Sequence, residues 1–159
     1  MRRYLSRALT IISLTVSLAL MTFPAFSGEK SSFNLGHSNG LAMAGYDVMS
    51  YWRGGKPMEG SADHSFEYDG ATWVFTSKAN LDAFAAEPEK YAPQFGGFCS
   101  YAASKGYTAD VDPFAWQIWQ DKLYLNYSPQ VQRIWSNDLE SNVAKGNANW
   151  PSLDPKTAN

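Results

Sequence analysis

The chain has a single cysteine, Cys99, and the residues around it carry the clearest chemical signal in the sequence. A lone thiol cannot close an internal disulfide, so an oxidising compartment tolerates it when it is buried, bound to a metal or used chemically. Gly96 and Gly97 lie just before Cys99, at the predicted start of a helix, where free backbone N–H groups would stabilise a thiolate. The alternative, that Cys99 is a small buried apolar residue, stays open.

Few other residues could bind a metal together with this thiol. Of the two histidines, His64 begins a predicted strand and is a candidate metal ligand, whereas His37 lies in a polar segment and is expected to have no local role. Asp47 and Asp112 could act as hard ligands, although Asp47 is more simply explained as a turn cap. Three methionines are soft enough for copper(I) but are expected in the core, so none is taken as a ligand: Met43, Met49 and Met58.

The N-terminal residues predict a cleaved export signal. Three arginines precede an apolar stretch at residues 8–21, and small residues follow at positions 25 and 27. The apolar stretch is shorter than the ~20 residues of a membrane-spanning helix, which favours cleavage over anchoring. We therefore predict a secretory signal peptide over residues 1–27 and a mature protein in the periplasm of a Gram-negative bacterium.

The charge of the mature chain excludes several partners. Loss of three arginines leaves 10 basic against 15 acidic residues, a net charge of −5, and no basic cluster is longer than two residues. Nucleic acid and anionic membranes are therefore not expected as partners. The remaining length of about 130 residues suits one domain.

Local patterns predict an α+β fold. Alternation at residues 64–68, an Asp-Gly turn at 69–70 and a return at 72–75 indicate a β-hairpin, and a second hairpin is predicted over 116–127. Residues 46–52 are predicted as a strand. Three to four short helices are expected: one begins after Ser77, one carries Cys99, and a longer C-terminal helix covers 129–145.

These elements divide the chain into a leader over residues 28–42, one domain over 43–153 and a polar tail over 154–159. No internal repeat and no second domain are visible in the sequence.

The first predicted hairpin and the helix after it resemble a known family. Residues 64–77, together with Asn80, Phe84, Pro88 and Tyr91, are similar to a YHS domain, a relative of the TRASH-type metal-handling modules. Further segments resemble one branch of that family, the exported YHS domain-containing (seleno)proteins: residues 44–48, 87–94, 96–99, 122–126 and 149–151.

This resemblance implies a role for Cys99 and a departure from the metal-binding members. Those members typically hold cysteines at the positions of Thr76 and Asn80, whose hydroxyl and amide cannot replace thiolate ligands. The exported branch instead has its reactive chalcogen at the position of Cys99. The resemblance thus implies that Cys99 is a nucleophile or a ligand of a soft metal and not a packing residue.

Three classes of function remain open at this stage. The first is binding of a soft metal, copper above all, by Cys99 together with His64 or with the thiol of a second chain in a homodimer. The second is thiol redox chemistry, in which Cys99 is the catalytic nucleophile and another molecule resolves it. The third is a non-catalytic module that binds a small molecule or partner in a pocket of Tyr46, Trp73, Tyr101 and Trp116. No hydrolase pattern is present, and whether the protein is an enzyme is left open.

Overall fold

The computed structural model describes residues 31–35 and 40–157, and it confirms the predicted α+β class with two antiparallel hairpins. The predicted signal peptide and His37 lie outside the described residues. Within the described part, six α-helices accompany the hairpins, more than the three to four predicted. No helix among the described residues is long and apolar enough to cross a membrane.

The segment predicted as a first strand is a helix. Helix α1, Val48–Arg53, begins after Asp47, whose side chain accepts the backbone N–H of Met49 at 2.8 Å, and it ends at Gly54. Val48, Met49 and Tyr51 on this short helix are buried. The strand prediction is wrong because an N-cap at Asp47 outweighs the β-propensity of the residues that follow.

The first hairpin consists of strands β1, Ser61–Tyr68, and β2, Ala71–Phe75. Asp69 and Gly70 form its two-residue turn with φ of 49° and 72°, the positive values that a hairpin turn of this length requires. Three residues of β1 bulge out between its pairs at Ser61 and Ser65. Helix α2, Lys78–Ala86, follows with the predicted N-cap at Ser77.

The second hairpin, strands β3, Asp112–Trp119, and β4, Lys122–Asn126, follows two short helices. These are α3, Pro88–Tyr91, and α4, Ser100–Ser104, with Cys99 at the N-cap position of α4. The predicted helix over 129–145 is two helices, α5, Pro129–Ser136, and α6, Leu139–Asn149. Ser, Asn and Asp at 136–138 favour helix ends, and the Asn142 side chain donates to the carbonyl of Trp135 at 2.8 Å.

The structure contains an internal repeat that the sequence does not show. Each hairpin has an eight-residue strand, a two-residue turn and a five-residue strand, 51 residues apart along the chain, and each carries the same three-residue bulge. Serine N-caps start the following helices at equivalent positions, Ser77 and Ser128. Tight turns with positive φ at residues 43–45 and 95–97 precede α1 and α4. We call residues 42–86 the first half and residues 94–136 the second half.

Each half buries an aromatic pair at equivalent positions. In the first half the rings of Trp73 and Phe84 lie 4.7 Å apart, and in the second half those of Tyr124 and Trp135 lie 5.3 Å apart. Each pair belongs to a separate buried cluster. Burial of these large rings supplies much of the hydrophobic stabilisation in each half.

Residues 31–35 pack against the tight turn that precedes Cys99. The backbone N–H of Asn34 donates to the carbonyl of Gly96 at 2.7 Å. A Cβ at Gly96 would lie 1.9 Å from the carbonyl oxygen of Ser32, and φ at Gly96 is 56°. Gly96 is therefore required for this close contact, a reason different from the open helix start that its sequence position suggested.

Candidate functional site

In the first half, the carboxylate of Asp47 lies at the centre of a buried polar network. Its Oδ1 accepts the N–H of Met49, and its Oδ2 accepts the N–H of Thr76 at 2.9 Å and the Thr76 hydroxyl at 2.7 Å. The side-chain amide of Asn80 donates to the same Oδ2 at 2.6 Å. We call these four residues the Asp47 network. Because both oxygens are occupied and Asp47 is fully buried, the carboxylate stabilises the fold and is not available to a ligand.

Cys99 occupies the position in the second half that Asp47 occupies in the first. Each residue follows a tight turn and directly precedes a helix. The backbone N–H of Asp47 donates to Met58 at 2.8 Å, and that of Cys99 donates to Ala109 at 2.9 Å. The acceptor residues Met58 and Ala109 are themselves equivalent, because they are 51 residues apart, as the two hairpins are.

Two atoms of the second half replace the two oxygens of the Asp47 carboxylate. The sulfur of Cys99 accepts the N–H of Tyr127 at 3.3 Å, as Asp47 accepts the N–H of Thr76. Oδ1 of Asn126 accepts the N–H of Tyr101 at 3.2 Å and lies 3.9 Å from the Cys99 sulfur. The backbone donors are therefore preserved while the acceptor changes from carboxylate to sulfur and amide.

A pocket opens where the first half has its polar side chains. Val131 replaces Asn80, and Tyr127 replaces Thr76. Cys99 is 2% exposed, yet it borders a cavity of about 290 Å³. We call this cavity the Cys99 pocket, and it is lined by Cys99, Tyr101, Ala102, Tyr107, Ala109, Tyr127 and Val131. Cys99 is thus a buried residue that contributes to the lining of the pocket.

The helix that Cys99 precedes is too short to account for thiolate stabilisation. Helix α4 has five residues, and the Cys99 side chain makes no capping hydrogen bond to it. The N–H group on the sulfur comes instead from Tyr127, just after β4. Neither Tyr127 nor Asn126 was identified from the sequence. The signal that could have found them is the second hairpin followed by Ser128, which repeats the pattern before Ser77.

The structure puts the predicted ligand His64 outside the Cys99 pocket. His64 lies half-buried in the bulge of β1, in the first half, and it does not line the pocket. Among the described residues, no group of three or more His, Cys, Asp or Glu side chains is arranged to hold a metal. Asp112 accepts the N–H of Phe114 at 2.9 Å, a local turn contact. Of the three methionines, Met43 and Met49 are buried and Met58 is exposed. The pairing of Cys99 with His64 stays a prediction.

The four aromatic residues expected to line one pocket are distributed over the molecule. Trp73 is buried in the first core cluster, and Trp116 packs edge-on against Tyr51 with centroids 5.3 Å apart. Tyr46 packs against Phe114 at 6.0 Å. Tyr101 alone of the four lines the Cys99 pocket.

The deeply buried tyrosines are structural. Burial, aided by the nearby Tyr46 and Asp112 charges, raises the pKa of Tyr51, whose hydroxyl donates to the carbonyl of Pro113 at 3.1 Å. Burial also raises the pKa of Tyr124. Both phenols therefore stay neutral at physiological pH, and neither is a candidate general base.

One family of known proteins matches most of the first half of the chain. The YHS domain family matches residues 49–95, from α1 through the first hairpin to the tight turn before Cys99. No curated protein and no solved structure matches the chain. The matched residues include Thr76 and Asn80 of the Asp47 network and end before the Cys99 pocket begins. A YHS domain, of a family associated with metal handling, is therefore detected at residues 49–95 of the chain.

Proposed function

We propose that the protein binds a soft transition-metal ion, copper(I), through the thiolate of Cys99. One observation carries the proposal: the Cys99 sulfur accepts a backbone N–H, and Cys99 lines a pocket of about 290 Å³ with aromatic and aliphatic walls. Thiolate is a preferred ligand of copper(I). The copper(I)–thiolate pair carries no net charge, so it costs less free energy to bury among such side chains than a divalent ion does.

The proposal assigns metal binding to the second half and not to the YHS domain itself. Association of YHS domains with metal handling supports a metal as the ligand. However, the positions where metal-binding members hold cysteines are Thr76 and Asn80, and both side chains donate hydrogen bonds to Asp47. Cys99, at the repeat position of Asp47, is the soft donor of the described pocket lining.

A second molecule completes the coordination. Copper(I) needs at least one further ligand, and the described lining of the Cys99 pocket offers no other thiol, thioether or imidazole. A second copy of the chain could supply its own Cys99 or His64, and a partner protein could supply a thiol. A site with one strong ligand of its own is suited to passing the ion between proteins, which is the handling role we propose.

The proposed compartment is the periplasm of a Gram-negative bacterium. The arginine-led apolar segment at residues 1–27 supports export. A lone unpaired thiol in that oxidising compartment fits a metal ligand, because a bound metal protects the sulfur from disulfide formation.

Titration with copper(I) in competition with a chromophoric chelator, without oxygen, tests the proposal on the chain lacking residues 1–27. We expect Cys99→Ser to weaken binding by more than about 100-fold, because it removes the thiolate ligand. Met58→Leu, which removes an exposed thioether, is the matched control and should leave affinity unchanged. Equal affinity of Cys99→Ser and the unsubstituted chain would exclude the proposal, and a loss in His64→Ala would assign His64 as the second ligand.

A second candidate function is thiol redox chemistry at the same atom. The N–H of Tyr127, 3.3 Å from the sulfur, would stabilise a thiolate nucleophile as well as a metal ligand. The chain has no second cysteine, so a partner or small-molecule thiol would resolve a mixed disulfide. Turnover of a disulfide substrate with a thiol reductant, lost in Cys99→Ser while copper(I) affinity is not, would favour this candidate.

A further inference from the structure

Two buried polar side-chain atoms on residues close to Cys99 lack hydrogen-bond partners. The hydroxyl of Ser100, the next residue, and the amide Nδ2 of Asn126 both have none, although neither residue is exposed. The amide group of Asn126 lies next to the thiol, with its Oδ1 3.9 Å from the sulfur. Because an unpaired buried polar group costs free energy, these atoms require an explanation.

The first half acts as an internal control for these positions. The counterparts of Ser100 and Asn126 are Val48 and Phe75, both apolar and fully buried. The fold therefore does not need polar groups there. The second half carries them next to a thiol, which points to a polar species that forms at the sulfur.

The two backbone N–H groups that bind the Asp47 oxygens have counterparts around Cys99. In the first half, the N–H groups of Met49 and Thr76 bind the two oxygens of the Asp47 carboxylate. Their counterparts, the N–H groups of Tyr101 and Tyr127, lie around the Asn126 amide and the Cys99 sulfur. A side chain with two oxygens on the atom bonded to Cβ would accept the Tyr127 N–H with one oxygen, and it would reach the Tyr101 N–H with the other by displacing Oδ1 of Asn126.

We infer that Cys99 is a site of oxidation by peroxide, whose sulfinate product occupies the position that the Asp47 carboxylate holds in the first half. A sulfinate carries two oxygens on the atom bonded to Cβ, as an aspartate does. In the first step the thiolate attacks a peroxide oxygen, an S–O bond forms, and the O–O bond breaks to release hydroxide, which takes the thiol proton as water. Sulfur loses two electrons and the peroxide gains them. A second peroxide converts the sulfenate to the sulfinate in the same way.

The pocket beside Cys99 and the absence of a second cysteine favour the sulfinate as the end product. Cys99 lines the pocket, so hydrogen peroxide that enters the pocket approaches this residue. The chain has no second cysteine, so an internal disulfide cannot consume the sulfenate before the second oxidation. The inference uses the same atom as the proposed copper site but does not depend on metal binding. A sulfinate is not a soft ligand, so its formation would prevent copper(I) binding.

Peptide mass spectrometry after exposure of the folded, metal-free chain to hydrogen peroxide tests the inference. We expect the peptide with Cys99 to gain two oxygen atoms while the protein keeps its cooperative thermal transition. Exposed Met58 becomes a sulfoxide and reports the peroxide dose within the same molecule. A Cys99 that remains a thiol after Met58 is fully converted, or a chain that loses its fold on oxidation, would overturn the inference.

Two variants test the surroundings of the sulfur. Asn126→Asp keeps an oxygen acceptor for Tyr101 but replaces the unpartnered amide donor with a negative oxygen, so sulfinate formation should slow by about tenfold or more. An unchanged rate would contradict the inference. Should Asn126→Asp not fold, Cys99→Asp imitates the sulfinate directly. We expect Cys99→Asp to melt no lower than Cys99→Ser, and its failure to fold where Cys99→Ser folds would overturn the inference.

Discussion

The two halves hold different groups on the same backbone. The first half holds the Asp47 carboxylate, which receives four hydrogen bonds from three residues, and the second holds the Cys99 sulfur, which receives one N–H and faces a cavity. Asn80, which donates to Asp47, corresponds to Val131, a residue of the pocket wall. The same backbone therefore holds a buried carboxylate in one half and a cysteine beside a cavity in the other, depending on two or three side chains.

The largest expected contrast is between the losses of stability caused by removing the Asp47 carboxylate and by removing the Cys99 sulfur. Asp47→Ala removes the oxygens that accept four hydrogen bonds from Met49, Thr76 and Asn80, so we expect the free energy of unfolding to fall by about 3 kcal/mol or more. Cys99→Ala removes one sulfur atom beside an existing cavity and should cost about 1 kcal/mol. Urea unfolding of both variants measures the contrast. Equal losses would mean that Cys99, like Asp47, is a structural residue.

The tight turns that precede Asp47 and Cys99 provide a second contrast. Gly96 and its first-half counterpart Ala44 share a positive φ, but the carbonyl of Ser32 packs against Gly96 and Ala44 is exposed. We expect Gly96→Ala to cost about 2 kcal/mol through this contact. Ala44→Gly should be neutral or stabilising by up to about 1 kcal/mol, because glycine tolerates positive φ. Thermal denaturation of both variants checks this, and a harmless Gly96→Ala would contradict the packing of residues 31–35.

Two substitutions give the second half the polar side chains of the first half, and a double-mutant cycle measures how they interact. Cys99→Asp supplies the carboxylate, and Val131→Asn supplies the amide that corresponds to Asn80. We expect the two changes together to be more stable than their separate effects predict, with a coupling of about 1–2 kcal/mol, because the new amide donates to the new carboxylate. Val131→Leu with Cys99→Asp is the control and should show no favourable coupling. Additive effects of Cys99→Asp and Val131→Asn would contradict the equivalence of Cys99 with Asp47 and of Val131 with Asn80.

The smallest contrast concerns the two hairpin turns. Burial of Asp69 acts to raise its pKa, but hydrogen bonds from Lys156 and Ser32 and the Lys156 charge outweigh it, so the pKa lies below its ordinary value of 3.8. The stabilisation is therefore complete above about pH 4 and is lost as the pH falls through the lowered pKa. Gln120, the counterpart in the second turn, carries no charge.

We expect Asp69→Asn to lower the free energy of unfolding at pH 7 by no more than about 1 kcal/mol, since the ion pair is partly exposed. The difference from the unsubstituted chain should shrink near pH 2 and at high salt. Urea unfolding at both pH values measures it, with Gln120→Asn as the control. A difference that stays constant with pH would exclude a role for the Asp69 charge.

Local signals explain which elements could be predicted from the sequence. The Asp69-Gly70 turn and the Ser77 cap act within a few residues, and the structure confirms both. Residues 46–52 were predicted wrongly because their strand propensity is local, whereas the α1 helix depends on Asp47, which is held by the distant Thr76 and Asn80.

The repeat and the site surroundings could not be predicted for a different reason. Between residues 61–85 and 112–136, only the serine caps Ser77 and Ser128 are identical. What repeats is backbone geometry, which many sequences satisfy. Cys99 was identified by its chemistry, but its neighbours Asn126 and Tyr127 come from a strand end more than 25 residues away.

The most direct test of the account is the alkylation rate of Cys99 in the folded chain. If the sulfur is the open counterpart of a buried carboxylate, iodoacetamide should label it through the pocket at a rate that does not change with low concentrations of urea. Val131→Phe, which narrows the pocket, should slow that labelling without loss of the fold. Labelling that occurs only at the rate of global unfolding, in both proteins, would show that Cys99 is a sealed core residue and would contradict the account.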